Sequence, residues 1–293
     1  MKHVKKILGV LFFLSMMIAV LTACGAEDEA VTPIDPNVVE HNPLEIITPA
    51  PPTPTESAGQ AAGELSKEEE RVTEPPTPTE ALPEYVVVLD PGHGGKFTGA
   101  MYSGLVEKEV ALKLAVYAKA YLEDNYPQLK VYLTREEDMA FDEELAKDLE
   151  NRVRLGKELG ADVFVSLHLN ASVEHNIQGA EVLCPHREKV KEKSFLLANA
   201  ILDELAELGL RRRGIVTRNS NDMMDDNGNP LEYYAINRHA ANRDMVGIIV
   251  EHCFMDNEAD RAYLADEEAL KRLAEADARG IAAYFGYGLQ TNE

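Results

Sequence analysis

Four side chains in this 293-residue chain have the types and settings needed for metal-assisted hydrolysis: His93, Glu107, His168 and Glu251. His93 sits in the run Val-Val-Leu-Asp-Pro-Gly-His-Gly-Gly at 87–95, where an apolar strand passes directly into a glycine-rich turn. Glu107 follows fourteen residues later. His168 ends a second apolar run that starts at Val163, and Glu251 ends a third that starts at Gly247. Two imidazoles and a carboxylate can hold zinc with one position left for water, and a second carboxylate can move that water's protons. Taken singly, each residue says less. Glu107 also suits the first turn of a helix, where a carboxylate favours the dipole. The glycines of the turn also suit a phosphate cradle, but neither Gly-x-Gly-x-x-Gly nor a Gly-Lys-Ser/Thr ending is present. His168 is more telling, because it closes the alternation Val163, Val165, Leu167 just before Asn170. His252 must point away from Glu251, since neighbours on a strand face opposite ways, and it reads as a supporting or surface group.

These residues need strand ends to hold them. Short apolar runs at 85–89, 129–133, 162–167, 179–183 and 246–250 read as strands. Helical spacing is visible at 107–122, 149–159, 193–208 and 267–285, the first with Val110, Leu112, Leu114, Ala115 and Ala118 on one buried face. Alternation of this kind predicts a single α/β domain, a mostly parallel twisted sheet flanked by helices. The chemical residues then fall at the carboxyl ends of strands, where such sheets bind ligands. Residues 219–229 read as a solvated loop; their carboxylates invite calcium but lack the EF-hand spacing. Tyr233 and Tyr234 after it suit either the core or a groove wall.

The front of the chain has a different character. Lys2, Lys5 and Lys6 precede 17 uncharged residues from Ile7 to Ala23, and Cys24 follows. That order is a secretory signal, or a retained membrane helix near the minimum spanning length. The ending resembles the lipobox of bacterial lipoproteins, which implies cleavage after residue 23 and lipidation of Cys24, with two or more acyl chains anchoring the protein to the membrane. Residues 24–83 hold 13 acids against two bases and repeat Pro-Pro-Thr-Pro-Thr-Glu at 51–56 and 75–80. Such a segment buries too little to repay ordering, and predicts a disordered linker, a tether of about 100 Å or more.

From residue 84 onward, 38 acids face 24 bases, a net charge of −14, which excludes a nucleic-acid partner. Beyond Cys24, the cysteines Cys184 and Cys253 are too few for a disulfide scaffold and are expected as buried thiols.

Taken together, the motifs from about 84 to 287 resemble the zinc-dependent N-acetylmuramoyl-L-alanine amidases of the Amidase_3 family. Asp90 to Gly95 matches its opening Asp-Pro-Gly-His-Gly-Gly, and Glu107-Lys108 its Glu-Lys helix start. Thr134-Arg135 with Asp138, Ser166 to Ala171, Gly179 to Val182 and Val250 to Asn257 follow in the family's order. The resemblance implies that His93, Glu107 and His168 bind one catalytic Zn2+ and that Glu251 is the catalytic carboxylate. Asp90 and Asn170 are expected to support ligand orientation. Cys253 replaces a glycine of the family pattern, and Gly156-Lys157 replaces its Ala-Asn.

The implied domains are a signal at 1–23, a lipidated tether at 24–83 and a zinc amidase at 84–293. The implied reaction is hydrolysis of the amide between N-acetylmuramic acid and L-alanine in peptidoglycan, outside the cytoplasmic membrane. A zinc peptidase acting within the stem peptides and a non-catalytic wall-binding module are the competing readings. A paired-carboxylate glycosidase leaves the two histidines without a purpose. Neither a protein activator nor a specific step of wall metabolism is named by the sequence.

Overall fold

The structure is a computed structural model that describes residues 84–287; the expected signal, Cys24 and the tether lie outside the described residues. The chain runs β1 (Tyr85–Pro91), β2 (Met101–Tyr102), β3 (Leu105–Val106), α1 (Glu107–Asn125), β4 (Leu129–Leu133), α2 (Leu145–Glu158), β5 (Val163–Asn170) and β6 (Ala180–Leu183). It continues through α3 (Glu188–Glu207), β7 (Arg212–Val216), β8 (Asn219–Met224), β9 (Pro230–Glu232), α4 (Ala235–Ala241), β10 (Val246–Phe254), α5 (Glu258–Arg261) and α6 (Glu267–Tyr284). Six strands form one sheet in the order β4-β1-β5-β10-β6-β7. Every pairing is parallel except β10 with β6, so the expected mostly parallel α/β sheet is present.

Strand periodicity divides the core between two faces. Val87, Leu89, Val165, Leu167, Ile248 and Val250 face one way, against Leu114 and Leu122 of α1, Leu197 and Ile201 of α3, and Leu273 and Ile281 of α6. Val88, Phe164, Leu183 and Ile249 face the other, against Val153 of α2 and Ile236 and Ala240 of α4. Each fully buried aliphatic side chain here stabilises by about 1.5–3 kcal/mol. The first face is covered by three long helices and the second by shorter ones. The thinner cover leaves the carboxyl ends of β1, β5 and β10 reachable on the second face.

Within α1, buried residues recur at Val110, Leu114, Ala118 and Leu122, with Ala111 and Ala115 beside them. Leu112, expected on this face, is only half-buried because it lies two residues off the stripe. Gly156 of α2 has a packing reason. A Cβ there would meet Phe164 Cδ2 at 2.6 Å, so helix and strand approach through this glycine.

Residues 219–229 correct the expectation of a loop. β8 and β9 pair as an antiparallel ribbon, closed by a turn in which Asp225 accepts from Asn227 N and Asn229 N at 2.9 and 2.8 Å. Gly228 supplies the φ of +82° that this turn requires. Its buried side chains, Ser220 and Glu232, are polar, so its strands carry no apolar alternation to read.

Candidate metal centre

Past the end of β1 the backbone turns sharply. His93 takes φ +61°, a left-handed conformation that costs a non-glycine residue energy unless its surroundings enforce it. Two buried arginines enforce it here. Arg152 of α2 donates to Pro91 O at 2.9 Å, to Asp90 Oδ1 at 3.0 Å and to the His93 carbonyl, while its Nε donates to Asp148 Oδ2 at 2.7 Å. Arg135 donates to Pro91 O, Gly92 O and Lys108 O at 3.0, 2.9 and 2.8 Å. Burial works against the Arg152 charge, but Asp90 and Asp148 outweigh it and raise its pKa. Burial and Arg152 bring Arg135 down to about 10, still cationic at neutral pH. Asp138 completes the frame, accepting from Gly95 N at 2.7 Å and from Lys108 Nζ at 2.7 Å.

Glu107 is the first residue of α1 and is buried. Its Oε2 accepts from Ala100 N at 2.8 Å and its Oε1 from Leu169 N at 3.0 Å. Oε1 also lies 3.1 Å from His93 Nε2 and 3.0 Å from His168 Nδ1. Burial pushes the carboxyl up; the two imidazoles more than reverse this and hold it well below the usual range. Glycines make the convergence possible. A Cβ on Gly92 would meet His168 Cε1 at 2.3 Å, and one on Gly99, at φ +67°, would meet Glu107 Oε2 at 2.4 Å.

The His168 tautomer follows from its neighbours. Ser166 Oγ donates to Asp90 Oδ2 at 2.6 Å, so it accepts from His168 Nε2 at 3.2 Å. That leaves the Nδ1 lone pair directed to the Glu107 side, as a metal ligand requires. Burial lowers the His168 pKa despite Glu107, which favours the neutral ring. The donor atoms of His93, Glu107 and His168 all lie within 4.8 Å of one another, the spacing that ligands of one small ion share. Two imidazole nitrogens and a carboxylate oxygen are a donor set that zinc accepts with a position left open. The cluster fits a single catalytic Zn2+.

Glu251 is in register with His168 on one side and with Glu181 on the other, so all three point to the same face of the sheet. Among the described residues, its Oε2 has no hydrogen-bond partner. Burial, then Glu107 and Glu181, push its pKa well above the ordinary carboxylate value. Asp90, expected to support ligand orientation, accepts from Ser166 Oγ at 2.6 Å and from Arg152 Nη1 at 3.0 Å. Asn170, expected likewise, donates to Glu181 Oε1 at 3.0 Å, and Arg213 Nε donates to Glu181 Oε2 at 2.6 Å.

His252 is a support, not a surface group. It is fully buried, 2.7 Å from Asp277 Oδ2 of α6 and 2.9 Å from the His168 carbonyl oxygen. It is buried because the opposite side of β10 at this point faces α6. Cys184 and Cys253 are free buried thiols, as expected. Sequence reasoning gave no role to Arg152, Asp148, Ser166 or Glu181. Only the spacing of Asp148 and Arg152, four apart on one helix, could have flagged any of them.

An α/β sheet with two histidines and a glutamate gathered at its strand ends defines a zinc hydrolase domain. The chain belongs to the Amidase_3 family, N-acetylmuramoyl-L-alanine amidase, whose profile matches residues 87–283. It is similar to the endolysin of Bacillus phage SPP1, at 30% identity over 67% of this chain and 65% of the endolysin, just under two thirds of that relative's length. It is similar to the germination-specific N-acetylmuramoyl-L-alanine amidase of Bacillus subtilis (strain 168), at 28% identity over 68% of this chain and 79% of that protein. Among solved structures, the catalytic domain of CwlV, an amidase from Bacillus (Paenibacillus) polymyxa var. colistinus, superposes with a TM-score of 0.56 and 30% identity. The match covers 70% of this chain and 99% of CwlV.

Proposed function

We propose that the protein hydrolyses the amide bond between N-acetylmuramic acid and L-alanine in peptidoglycan, with His93, Glu107 and His168 holding zinc and Glu251 moving the proton. The observation that carries this is the placement of Glu251 beside His168 in one row across the strand ends. When bound, zinc supplies Lewis-acid activation of water and carbonyl at neutral pH. Glu251, whose raised pKa suits it to hold a proton in transit, takes one from the attacking water and returns it to the departing L-alanine nitrogen. His168 is kept in its ligating tautomer by Ser166 and Asp90. Arg152 and Arg135 fix the turn that presents His93. In the same reading, residues 1–23 are an export signal, Cys24 is lipidated, 24–83 are a tether and 84–293 are the catalytic unit working outside the cytoplasmic membrane.

Mass spectrometry of purified peptidoglycan digested by the protein, with zinc or with chelator, tests the activity. Zinc-dependent release of peptides that begin with free L-alanine is expected. Cleavage within the stem peptide makes the protein a peptidase, and failure to bind zinc removes the catalytic reading. Mass spectrometry of the membrane-extracted protein tests the anchor; an unmodified Cys24 refutes it.

A further inference from the structure

With no hydrogen-bond partner for its Oε2 among the described residues, Glu251 takes its aim from the backbone of β10. That backbone is irregular just past it. Glu251 pairs with His168 and Phe254 with Asn170, so His252 and Cys253 together oppose the single residue Leu169. The extra residue makes a β-bulge, a device that bends its strand and, beside active sites, re-aims side chains. Both flanks of the bulge are fastened. On the far flank, Phe254 N donates to Asp260 Oδ2 at 2.8 Å and Met255 N to Asn170 O at 2.9 Å. On the near flank the fastening is His252 itself. Its Nδ1 lies 2.9 Å from the His168 carbonyl oxygen, which can only accept, so Nδ1 donates. Its Nε2 lies 2.7 Å from Asp277 Oδ2 of α6, with both side chains fully buried. One imidazole thus runs from α6 to the backbone of a metal-ligand residue, one position after the carboxylate. Buried charged pairs often stabilise no more than apolar residues of like volume, so the fold alone does not account for this one.

We propose that His252 is a positioning residue for the reaction: by tying the bulge of β10 to the His168 carbonyl, it sets the distance and angle between the Glu251 carboxylate and the metal cluster. Its other bond, to Asp277, serves the fold. The proposal rests on the amidase reading. A general base works only within about 2.6–3.2 Å of the proton it takes, and a misplacement of about 1 Å can cost about 100-fold in rate. His252 points to the opposite side of β10 from Glu251 and acts only through the backbone, so its loss should register in turnover and not in substrate binding.

The test uses the zinc-loaded full chain, soluble glycan–peptide fragments of peptidoglycan as substrate, and two variants that separate the two bonds of the ring. Asparagine places an amide nitrogen where the imidazole has Nδ1, so His252→Asn keeps the bond to His168 O and drops the one to Asp277. Glutamine reaches the position of Nε2, so His252→Gln does the reverse. His252→Gln should lower kcat about 10- to 100-fold with KM and zinc content unchanged, the pattern of a contact that matters only in the transition state. His252→Asn should lose thermal stability and keep most of the wild-type kcat. Should His252→Gln not fold, Asp277→Asn carries the test, because it weakens the buried pair and leaves the bond to His168 O in place; a lower Tm with kcat retained is expected. Unchanged kcat in folded His252→Gln, a loss confined to KM, equal losses of kcat in the Gln and Asn variants, or a fall of kcat in Asp277→Asn overturns the positioning role while the active wild type leaves the amidase reading intact. A wild type that hydrolyses no amide in these fragments overturns both.

Discussion

Glu107 and Glu251 bear the same carboxylate and are driven in opposite directions by what surrounds them. Burial penalises both charges. Glu107 has two imidazoles within about hydrogen-bond reach and stays ionised, as a ligand must. Glu251 has two other carboxylates for neighbours, and burial with these two charges pushes its pKa upward, the direction that strengthens a carboxylate as a proton acceptor. Glu251→Gln should therefore retain zinc, measured by metal analysis, while turnover falls about 10²- to 10⁴-fold. Normal turnover in that folded variant removes Glu251 from the mechanism. Gly92→Ala deletes no ligand, yet its methyl group would occupy the space of the His168 ring. Lower zinc occupancy is expected, and unchanged occupancy would show that the ring can yield. At this scale the gathering of His93 and His168 was legible where a residue type meets a strand end, and Glu251 was legible as a carboxylate in the same row. The roles of Ser166 and Glu181 were not legible, because they depend on register between strands far apart in sequence.

The element that secures the site is α2. Its Asp148 and Arg152 reach under the turn after β1, and Arg152 answers Asp90, which is almost fully buried. Replacing Arg152 with Met leaves two carboxylates buried without their cation, at a cost of about 3–5 kcal/mol, readable from urea denaturation. The pH dependence has a definite sign. Burial works to raise the Asp90 pKa, but Arg152, Ser166 and Thr134 bring it below the ordinary aspartate value of about 3.8. A depressed folded pKa adds stability above the unfolded value, and this is lost as pH falls through the folded one. Wild-type stability should therefore drop below about pH 3.8, by more than that of Arg152→Met; an equal drop would mean that Asp90 is not held down by Arg152. The helical and strand periods identified most elements, because each buries one stripe or one face. They missed β7, an edge strand with no buried residue, β8 and β9, whose buried side chains are the polar Ser220 and Glu232, and β2, β3, α4 and α5, which are too short to show a pattern.

At the scale of the molecule, the domain has a large two-faced apolar core and buried arginine clamps, enough to expect a fold that does not depend on its metal. A chelator should abolish hydrolysis without unfolding the domain, and added zinc should restore it. Near-UV circular dichroism lost on chelation would instead place the metal among the folding determinants, as in zinc fingers. Tyr85 opens β1 and stacks on Phe285 just past α6, with ring centroids 4.4 Å apart. The seven residues of β1 then travel about 20 Å before the turn that carries His93. Both ends of the described chain thus meet at one pole, and the chemistry sits at the other. A pull applied at residue 84 therefore loads the domain along β1, at the pole opposite the turn that carries His93, and leaves the metal cluster out of the line of force.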